Sequence, residues 1–381
     1  MFVIGAAKLT ISLFLTMKFN TGSKTKKVIL GVMSGTSCDG LDLALCLFSG
    51  EFPKVEFEIL SAQCFQYSAE WREKLQNCMH CSALELAKLE NEWSRKVAED
   101  ICEFIGSQEI KPELIGFHGH TIFHQPQHGF TIQMGSGATI SRLTGIDTIC
   151  DFRQQDIALG GQGAPLVPIG EKWLFEEFEG FMNLGGFSNV TNRRTETNGS
   201  ETMQAYDVCA LNIVLNHLCG KIGLAYDADG KIAAQGKIST TLIEALKKVD
   251  YHQMQIQGSL GLEWVKAELF PILNRFAEIE NLSVEDQIAT YTEFCAITCA
   301  HAMPSGKYLL SGGGTHNSYL LERIRVHAQS KIEVPQQQLN DFKEALIFAF
   351  LAGLRAEGLP NTLASVTGAS HSGINGAFYK A

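Results

Sequence analysis

The 381-residue chain lacks several features that would place it in a simple class. The only basic cluster is Lys24, Lys26 and Lys27, and the net charge is −10, so we expect no nucleic-acid partner. The longest apolar stretch near the start, 9–17, is too short to cross a bilayer, so we expect no membrane partner either. A chain of this length that lacks both signals is predicted to form two to three globular domains.

The chain also lacks a disulfide framework, because its eleven cysteines are odd in number and scattered along the whole length. One Cys-x-x-Cys pair, Cys78 and Cys81, lies in a segment with helical periodicity, and no second pair stands at zinc-ligand spacing. We therefore expect free thiols and a reducing, cytoplasmic location. The globular pattern begins only at Lys27, so we predict a poorly ordered leader over residues 1–26.

The two halves of the chain show the same local pattern. The segment from Val28 predicts a buried strand, a turn rich in glycine and hydroxyl residues, and a second strand over Leu41–Phe48; the segment GFMNLGGFSNVTNRR repeats that order. No helix follows the first glycines, which excludes a Walker P-loop and a Rossmann fingerprint. Helical periodicity predicts further helices at about 69–77, 83–106, 209–219, 239–248, 262–277, 283–302 and 341–357. The sequence therefore predicts two related α/β domains.

Three glycine-rich turns predict a nucleotide site. The turn GVMSGTSCDGLD (31–42) lets main-chain N–H groups approach a phosphate closely and adds the hydroxyls of Ser34, Thr36 and Ser37. The second turn is NLGGFSN (183–189), and the third, SGGGTHN (311–317), gives a platform without side chains for a purine or ribose. A single turn of this kind is more often an ordinary hairpin, whereas the three together favour a nucleotide cleft.

Six segments resemble the anhydro-N-acetylmuramic acid kinase family of the actin, sugar-kinase and heat-shock ATPase superfamily. They are GVMSGTSCDGLD, HGHTIFHQP, DFRQQDIALGGQGAPLVP, NLGGFSN, YDADGKIAAQG and LLSGGGTHN. The resemblance implies an α/β fold of two ribonuclease-H-like domains, each a mixed sheet flanked by helices, with an ATP cleft between them. We predict a first domain over 27–155, a second over 156–345, and a C-terminal helix and tail, 341–381, that return toward the first domain.

The resemblance also implies a coupled reaction. An ATP-dependent kinase of this family opens the 1,6-anhydro ring of 1,6-anhydro-N-acetylmuramic acid with water and phosphorylates its 6-oxygen, giving N-acetylmuramic acid 6-phosphate and ADP in peptidoglycan recycling and amino-sugar metabolism. Asp207, predicted between a strand and a helix, matches the family's general base, with a helix N-cap as the alternative role. Glu344, predicted at the polar start of a helix, resembles the second catalytic carboxylate, with a solvated surface charge as its alternative.

The family pattern places the ligands on named residues. The implied ATP contacts lie in the three turns: Gly35, Thr36, Ser37, Cys38, Asp39, Gly40, Leu41, Asp42, Asn183, Gly185, Gly186, Gly312, Gly313 and Gly314. Mg²⁺ is expected on the ATP near Asp39. The implied sugar contacts are His118, His120, Thr121, Gln133, Ser136, Asp151 and Arg153. Arg153 is the candidate for the lactyl carboxylate, because a guanidinium pairs bidentately with it.

Two departures from the family pattern bear on the site. His120 stands where the family usually has glutamine, and DVCALN replaces a glycine-containing turn after Asp207. The four histidines between 118 and 128 also suggest a metal site, but Gly119, Pro126 and Gly129 break any helix that would align them. The alternatives that stay open are a kinase for another anhydrosugar such as levoglucosan, a nonenzymatic nucleotide-dependent switch of the same superfamily, and, for assembly, a homodimer.

Overall fold

A computed structural model describes residues 25–35, 38–196, 199, 201–249 and 261–381. Its strands are β1 Lys26–Ser34, β2 Gly40–Glu51, β3 Lys54–Gln66, β4 Leu114–Gln125, β5 Phe130–Met134, β6 Asp147–Cys150, β7 Gly180–Leu184, β8 Phe187–Thr195, β9 Glu201–Ala210, β10 Lys307–Ser311, β11 Lys331–Glu333 and β12 Ala377–Tyr379. Its α-helices are α1 Ala69–Asn77, α2 Ala83–Gly106, α3 Gly137–Thr144, α4 Gln154–Ala158, α5 Val167–Leu174, α6 Asn212–Gly220, α7 Thr240–Leu246, α8 Leu262–Trp264, α9 Phe270–Ile279, α10 Val284–Ala302, α11 Ser318–His327, α12 Gln337–Ala356 and α13 Ala364–Thr367. Val265–Leu269, between α8 and α9, is a π-helical turn.

The strands form two mixed sheets with the same order. In the first sheet the order is β12-β6-β4-β1-β2-β3, with β5 added beside the far end of β4; in the second it is β11-β10-β7-β8-β9. In both sheets the first three strands along the chain are antiparallel neighbours. Two further strands lie parallel on the other side of the first strand: β4 and β6 beside β1, and β10 and β11 beside β7. This shared order is the ribonuclease-H-like topology, and it confirms the predicted fold class.

The first sheet is covered on both faces. Alternate residues of β1 point to opposite sides, so Ile29 belongs to a core cluster with α12, and Leu30 to another with α2. The α12 helix lies directly on β1 and β4, where a methyl group at Gly31 would come within 1.8 Å of the Ala345 carbonyl oxygen. Glycine is required at this close approach, and the approach brings α12, from near the C-terminal end of the chain, onto the sheet built by its beginning.

Several predicted elements are confirmed and others are shifted. The helices at 69–77 and 83–106 have the predicted bounds, and α2 begins with a reciprocal capping box between Ser82 and Glu85. The helix predicted at 209–219 begins at Asn212 instead, because residues 209 and 210 complete β9. Most of the family-like segment HGHTIFHQP is strand, since β4 continues to Gln125. Among the described residues, no helix has both the length and the apolar character of a bilayer span.

Two predictions concern the ends of the chain. Of the predicted leader, only residues 25 and 26 are described, and Lys26 already begins β1. At the other end, α12 packs on β1, β2 and β4, and β12 pairs with β6. All eleven cysteines are described, and all are free thiols.

Candidate active site

The first glycine-rich turn connects β1 to β2. The main-chain N–H of Cys38 donates to the Gly35 carbonyl oxygen (3.2 Å), and Cys38 has a left-handed φ of 57°. Asp39 is exposed, whereas the side chains of Cys38 and Leu41 are buried in the core on the α2 side of the sheet. Thus Cys38 and Leu41 can face a ligand only with their main-chain atoms. The predicted contacts at residues 36 and 37 lie outside the described residues.

The prediction that Ser34 offers its hydroxyl to a phosphate is wrong for this structure. Ser34 is 1% exposed, and its hydroxyl lies 2.9 Å from the Tyr67 hydroxyl and 3.1 Å from Nδ1 of His120. Ser34 therefore supports the turn from its buried side, through Tyr67 and His120, and its hydroxyl is not exposed to a ligand.

The second turn consists of Gly185 and Gly186 between β7 and β8. Five bonds from the start of α6 hold it. The main-chain N–H groups of Leu211 (2.8 Å) and Ile213 (3.3 Å) donate to the Gly186 carbonyl oxygen, and that of Asn212 donates to the Gly185 carbonyl oxygen (3.4 Å). Nδ2 of Asn212 donates to the carbonyl oxygens of Leu184 (3.1 Å) and Gly185 (2.8 Å). With these carbonyls occupied, the exposed Gly186 keeps an open main-chain surface.

The third turn meets the second around Asn183. A methyl group at Gly312 would lie 2.3 Å from the Asn183 side-chain oxygen, and one at Gly185 would lie 3.1 Å from its side-chain nitrogen. Gly312 also has a φ of 88°, which disfavours any residue with a side chain. Gly313 is exposed, and a methyl group there would meet no atom within 4 Å. The two turns therefore form one continuous surface that opens at Gly313.

Carboxylates link these turns to the first hairpin. Burial raises the pKa of Asp42 on β2, and the negative charges of Asp341 and Asp39 raise it further, against a lowering hydrogen bond with Cys64. Asp341 in turn lies 3.7 Å from Nε2 of His316, the last residue of the 3₁₀ turn that follows Gly312. The third turn and the first hairpin are therefore neighbours in space, linked through Asp341 of α12.

Glu344 lies on α12, three residues after Asp341. It is not at the start of the helix as predicted, because α12 begins seven positions earlier and is interrupted at Phe342 (φ −114°, ψ 16°). Its side chain is open to solvent, yet desolvation raises its pKa, with Asp42 and Glu171 adding to the rise and the cations Lys343 and Arg153 opposing it. Glu344 is therefore an exposed carboxylate whose charged form is disfavoured by its protein surroundings.

Arg153 is held opposite Glu344 by a histidine. Its Nε and Nη2 lie 3.1 Å and 2.9 Å from Nε2 of His118, and its Nη1 donates to the Gly163 carbonyl oxygen (2.7 Å). Nδ1 of His118 lies 2.8 Å from the Gly119 carbonyl oxygen, so the ring carries its proton there and accepts from Arg153 at Nε2. Three of the five guanidinium N–H donors are used in this way, and two remain for a ligand.

Burial shapes the charges of this pair. It lowers the pKa of Arg153 to about 10, against the opposing effect of the Glu344 and Asp156 carboxylates, so the guanidinium is still protonated at neutral pH. Burial, together with the positive charge of Arg153, also lowers the pKa of His118 well below its usual range. His118 therefore stays neutral and remains an acceptor for Arg153.

A cavity of about 210 Å³ opens beside His118, and Arg153, which His118 holds, is not itself among the lining residues. Three of the predicted sugar-binding residues, His118, Gln133 and Asp151, line it together. Nε2 of Gln133 donates to the hydroxyls of Thr121 (3.3 Å) and Thr131 (2.7 Å), which places Thr121 next to the cavity. Ser136 instead caps α3 by accepting from the N–H of Thr139 (3.2 Å). His120 is 3% exposed and is not among the lining residues.

The sequence interpretation missed several residues around this cavity. They are Phe117, Gly119, Thr131, Ile132, Gly135, Cys150 and Gln154. Thr131 could have been found, because it alternates with Gln133 on β5, and alternate residues of a strand share a face. Gln154 carries no such signal, since it reaches the cavity only because its side chain accepts from the Thr131 N–H (3.1 Å).

Asp207 lies in the second sheet. It is inside β9, opposite Asn189 of β8 and next to a bulge in their pairing, so the predicted position at a helix start and the alternative role as an N-cap are both wrong. The segment after it runs straight from strand to helix: Leu211 is the only residue between β9 and α6. Asp207 is half-buried, and it projects from the sheet that also carries the second and third turns.

Comparison with known proteins agrees with this geometry. The family model for anhydro-N-acetylmuramic acid kinase matches residues 27–381. A relative of that name from Microcystis aeruginosa is 33% identical over 93% of this chain and 100% of its own length, and one from Crocosphaera subtropica is 35% identical over 91% and 97%. Among solved structures, component A of (R)-2-hydroxyglutaryl-CoA dehydratase from Acidaminococcus fermentans has a TM-score of 0.45 at 12% identity, covering 87% of this chain and 99% of that one. The chain thus belongs to the anhydro-N-acetylmuramic acid kinase family, and it is an ATP-dependent phosphotransferase with an alcohol group as acceptor.

Proposed function

We propose that the enzyme opens the 1,6-anhydro ring of 1,6-anhydro-N-acetylmuramic acid with water and transfers the γ-phosphoryl group of ATP to the released 6-oxygen. The products are N-acetylmuramic acid 6-phosphate and ADP, which fits a step of peptidoglycan recycling. The observation that carries this proposal is the polar cavity lined by His118, Gln133 and Asp151, next to the Arg153 guanidinium that His118 holds and whose charge acts on Glu344.

In this mechanism Asp207 is the general base. It takes a proton from water while the water oxygen bonds to the anomeric carbon, and the bond from that carbon to the bridging 6-oxygen breaks. The 6-oxygen attacks the γ-phosphorus, and ADP leaves. Glu344 is the second carboxylate of the reaction, and its raised pKa suits a group that takes part in proton exchange.

Arg153 is assigned to the lactyl carboxylate. Its two remaining N–H donors allow the paired hydrogen bonds that a carboxylate accepts, and its positive charge next to an acidic cleft offers the anionic substrate a local attraction. Levoglucosan has no carboxylate, so Arg153 favours a muramic substrate over that alternative.

Mg²⁺ would reach this site with ATP. No group of three metal-ligating side chains occurs in the part of the chain that the structure describes, but Mg²⁺ on a nucleotide needs only one or two protein carboxylates. Asp39 is exposed in the first turn, and its charge acts on Asp42, so these two residues fit that requirement. When bound, Mg²⁺ neutralises phosphate charge as the phosphoryl group is transferred.

A substrate comparison tests the proposal. ADP release is measured with 1,6-anhydro-N-acetylmuramic acid, with open-ring N-acetylmuramic acid and with levoglucosan. We expect turnover of the first to exceed that of the other two by a large factor, because only it combines the bridge with the carboxylate. In H₂¹⁸O, promptly quenched product should carry the label on the anomeric oxygen and none on the phosphate. Equal turnover of the open-ring sugar would remove the hydrolytic half, and preference for levoglucosan would replace the substrate.

A further inference from the structure

His118 and His120 face opposite sides of the first sheet, although they stand two positions apart. The pairing of β1 with β4 shifts register by one residue between Phe117 and His120, and Gly119 has a φ of 83°. His118 consequently packs on Phe348 of α12 (4.6 Å between ring centres), whereas His120 packs on Trp93 of α2 (6.0 Å). The bulge therefore separates two histidines that regular alternation would place on one face.

The His120 ring spans the base of the first turn. Its Nδ1 lies 3.1 Å from the hydroxyl of Ser34, the last residue of β1, and its Nε2 faces Sγ of Cys38 at 3.9 Å, on the other flank of the turn. Tyr67 holds the same two flanks, since its hydroxyl lies 2.9 Å from that of Ser34 and its main-chain N–H donates to the Asp39 carbonyl oxygen (3.1 Å). These contacts connect the two ends of the turn through buried side chains.

We infer that His120 is a positioning residue for the two flanks of the first turn, Ser34 and Cys38, which it holds in place for ATP binding, and that it does not contact the sugar. The inference rests on the proposed role of that turn in binding ATP. The contact between His120 and Cys38 matters because Cys38 has a left-handed φ, which residues other than glycine rarely adopt without support from neighbouring groups. A glutamine at 120 has an amide that can also donate and accept, so the position can serve the same purpose with either residue.

The protonation state of His120 agrees with this role. Burial lowers its pKa to about 4, so the ring is neutral at physiological pH and has one donor nitrogen and one acceptor nitrogen. A neutral ring is suited to a bridge between two uncharged groups, the Ser34 hydroxyl and the Cys38 thiol, and it adds no charge beneath the turn.

The experiment compares the two histidines in the full-length enzyme. KM for ATP and KM for the anhydro sugar are measured for His120→Leu, which removes both polar contacts, and for His118→Leu as the matched control. We expect His120→Leu to raise KM for ATP by about tenfold and to leave KM for the sugar within about twofold, in line with the loss of buried hydrogen bonds. His118→Leu should show the reverse pattern, because His118 holds Arg153.

Two further variants keep the test decisive. Ser34→Ala removes a single buried oxygen, should raise KM for ATP in the same direction, and serves if His120→Leu does not fold. His120→Gln should restore ATP affinity to near the parent value, a rescue that a loss of packing alone would not show. A rise in KM for the sugar alone, or no change in either KM, would overturn the inference.

Binding measurements separate this inference from the proposed reaction. The dissociation constant for ADP is measured by calorimetry on the parent and on His120→Leu. If the parent binds ADP but does not turn over the anhydro sugar, the proposed reaction fails, while a weaker ADP affinity in the variant still supports the inference. Equal ADP affinity in both proteins contradicts the inference whatever the sugar assay shows.

Discussion

The two sheets share one strand order but support their nucleotide turns in different ways. In the second sheet, the turn of Gly185 and Gly186 is fixed by the main chain and one amide at the start of α6. In the first, the turn rests on a buried chain of side chains that includes Tyr67, Ser34 and His120. The same topology can therefore hold a turn mainly through main-chain bonds from the start of a helix or mainly through buried side chains.

The two halves also differ in what surrounds the turns. The first sheet has an added strand, β5, which pairs with the far end of β4, and residues of both strands line the polar cavity next to His118. The second sheet has no such addition among its described strands, and Asp207 projects from its plain edge strand β9. We interpret the first half as the side that holds the sugar and the second as the side that carries the base. The predictions below test this division.

The largest effect is expected from Asp207→Asn in the second half. The variant keeps the size of the side chain but removes the base, so turnover should fall on the order of a hundred- to ten-thousand-fold. The KM values should change little. Because Asp207 lies within β9 and caps no helix, the melting temperature should stay close to that of the parent. Turnover and melting are measured on one preparation, and near-normal turnover would pass the role of base to Glu344.

The next effect is expected from Glu344→Gln on the first half of the cleft. Turnover should fall by about a hundredfold, the lower end of the range for loss of a proton-exchanging group. In the parent, kcat should rise with pH through the raised pKa of Glu344, and the variant should lose this acid limb. An unchanged acid limb would assign it to another group.

The same substitution has an opposite effect on stability. Glu344 binds its proton more tightly in the folded state than in the unfolded one, so its contribution to stability is present at acid pH and is lost as pH rises through the folded pKa. We therefore expect Glu344→Gln to melt higher than the parent at neutral pH, with the difference shrinking toward pH 4. A variant that melts lower than the parent at neutral pH would contradict the raised pKa of Glu344.

A smaller effect is expected from the pair of Arg153 and His118. Arg153→Lys keeps the charge but loses the forked contact with His118, so KM for the sugar should rise by about tenfold while KM for ATP stays the same. Combining it with His118→Asn should cost little more than either change alone, because both break one contact. Additive effects would show that His118 acts on the sugar separately from Arg153.

The sequence predicted those parts of this comparison that depend on short segments. The strand, turn, strand pattern and the helices at 69–77 and 83–106 are local signals, and they are confirmed. The position of Asp207 was misjudged because Cys209 and Ala210 suit a helix as well as a strand, and pairing with β8 decides between them.

The arrangement of side chains in the first half depends on tertiary contacts. Nothing in the letters HGH shows that a bulge turns His118 and His120 to opposite faces, or that Arg153 donates to the first of them. The buried position of Ser34 likewise follows from Tyr67, which lies 33 positions later. Residue types indicated the chemistry of the site, whereas the partners of each side chain required the folded chain.

The smallest effect is expected from Asn212→Ala, which tests the support of the second turn. The change removes two hydrogen bonds from Nδ2 to the carbonyl oxygens of Leu184 and Gly185, but the bonds from the N–H groups of Leu211 (2.8 Å) and Ile213 (3.3 Å) to the Gly186 carbonyl oxygen remain.

Because those main-chain bonds still hold the turn, KM for ATP should rise in Asn212→Ala by only about threefold, and the free energy of unfolding should fall by about 1 kcal/mol, as for loss of a partly exposed hydrogen bond. His120→Leu removes both side-chain contacts that connect Ser34 with Cys38 at the first turn, so it should have the larger effect on KM for ATP. Both variants are compared by ADP calorimetry and urea unfolding under one set of conditions. If Asn212→Ala weakened nucleotide binding as much as His120→Leu, the two turns would depend on side chains equally, and the distinction between them would fail.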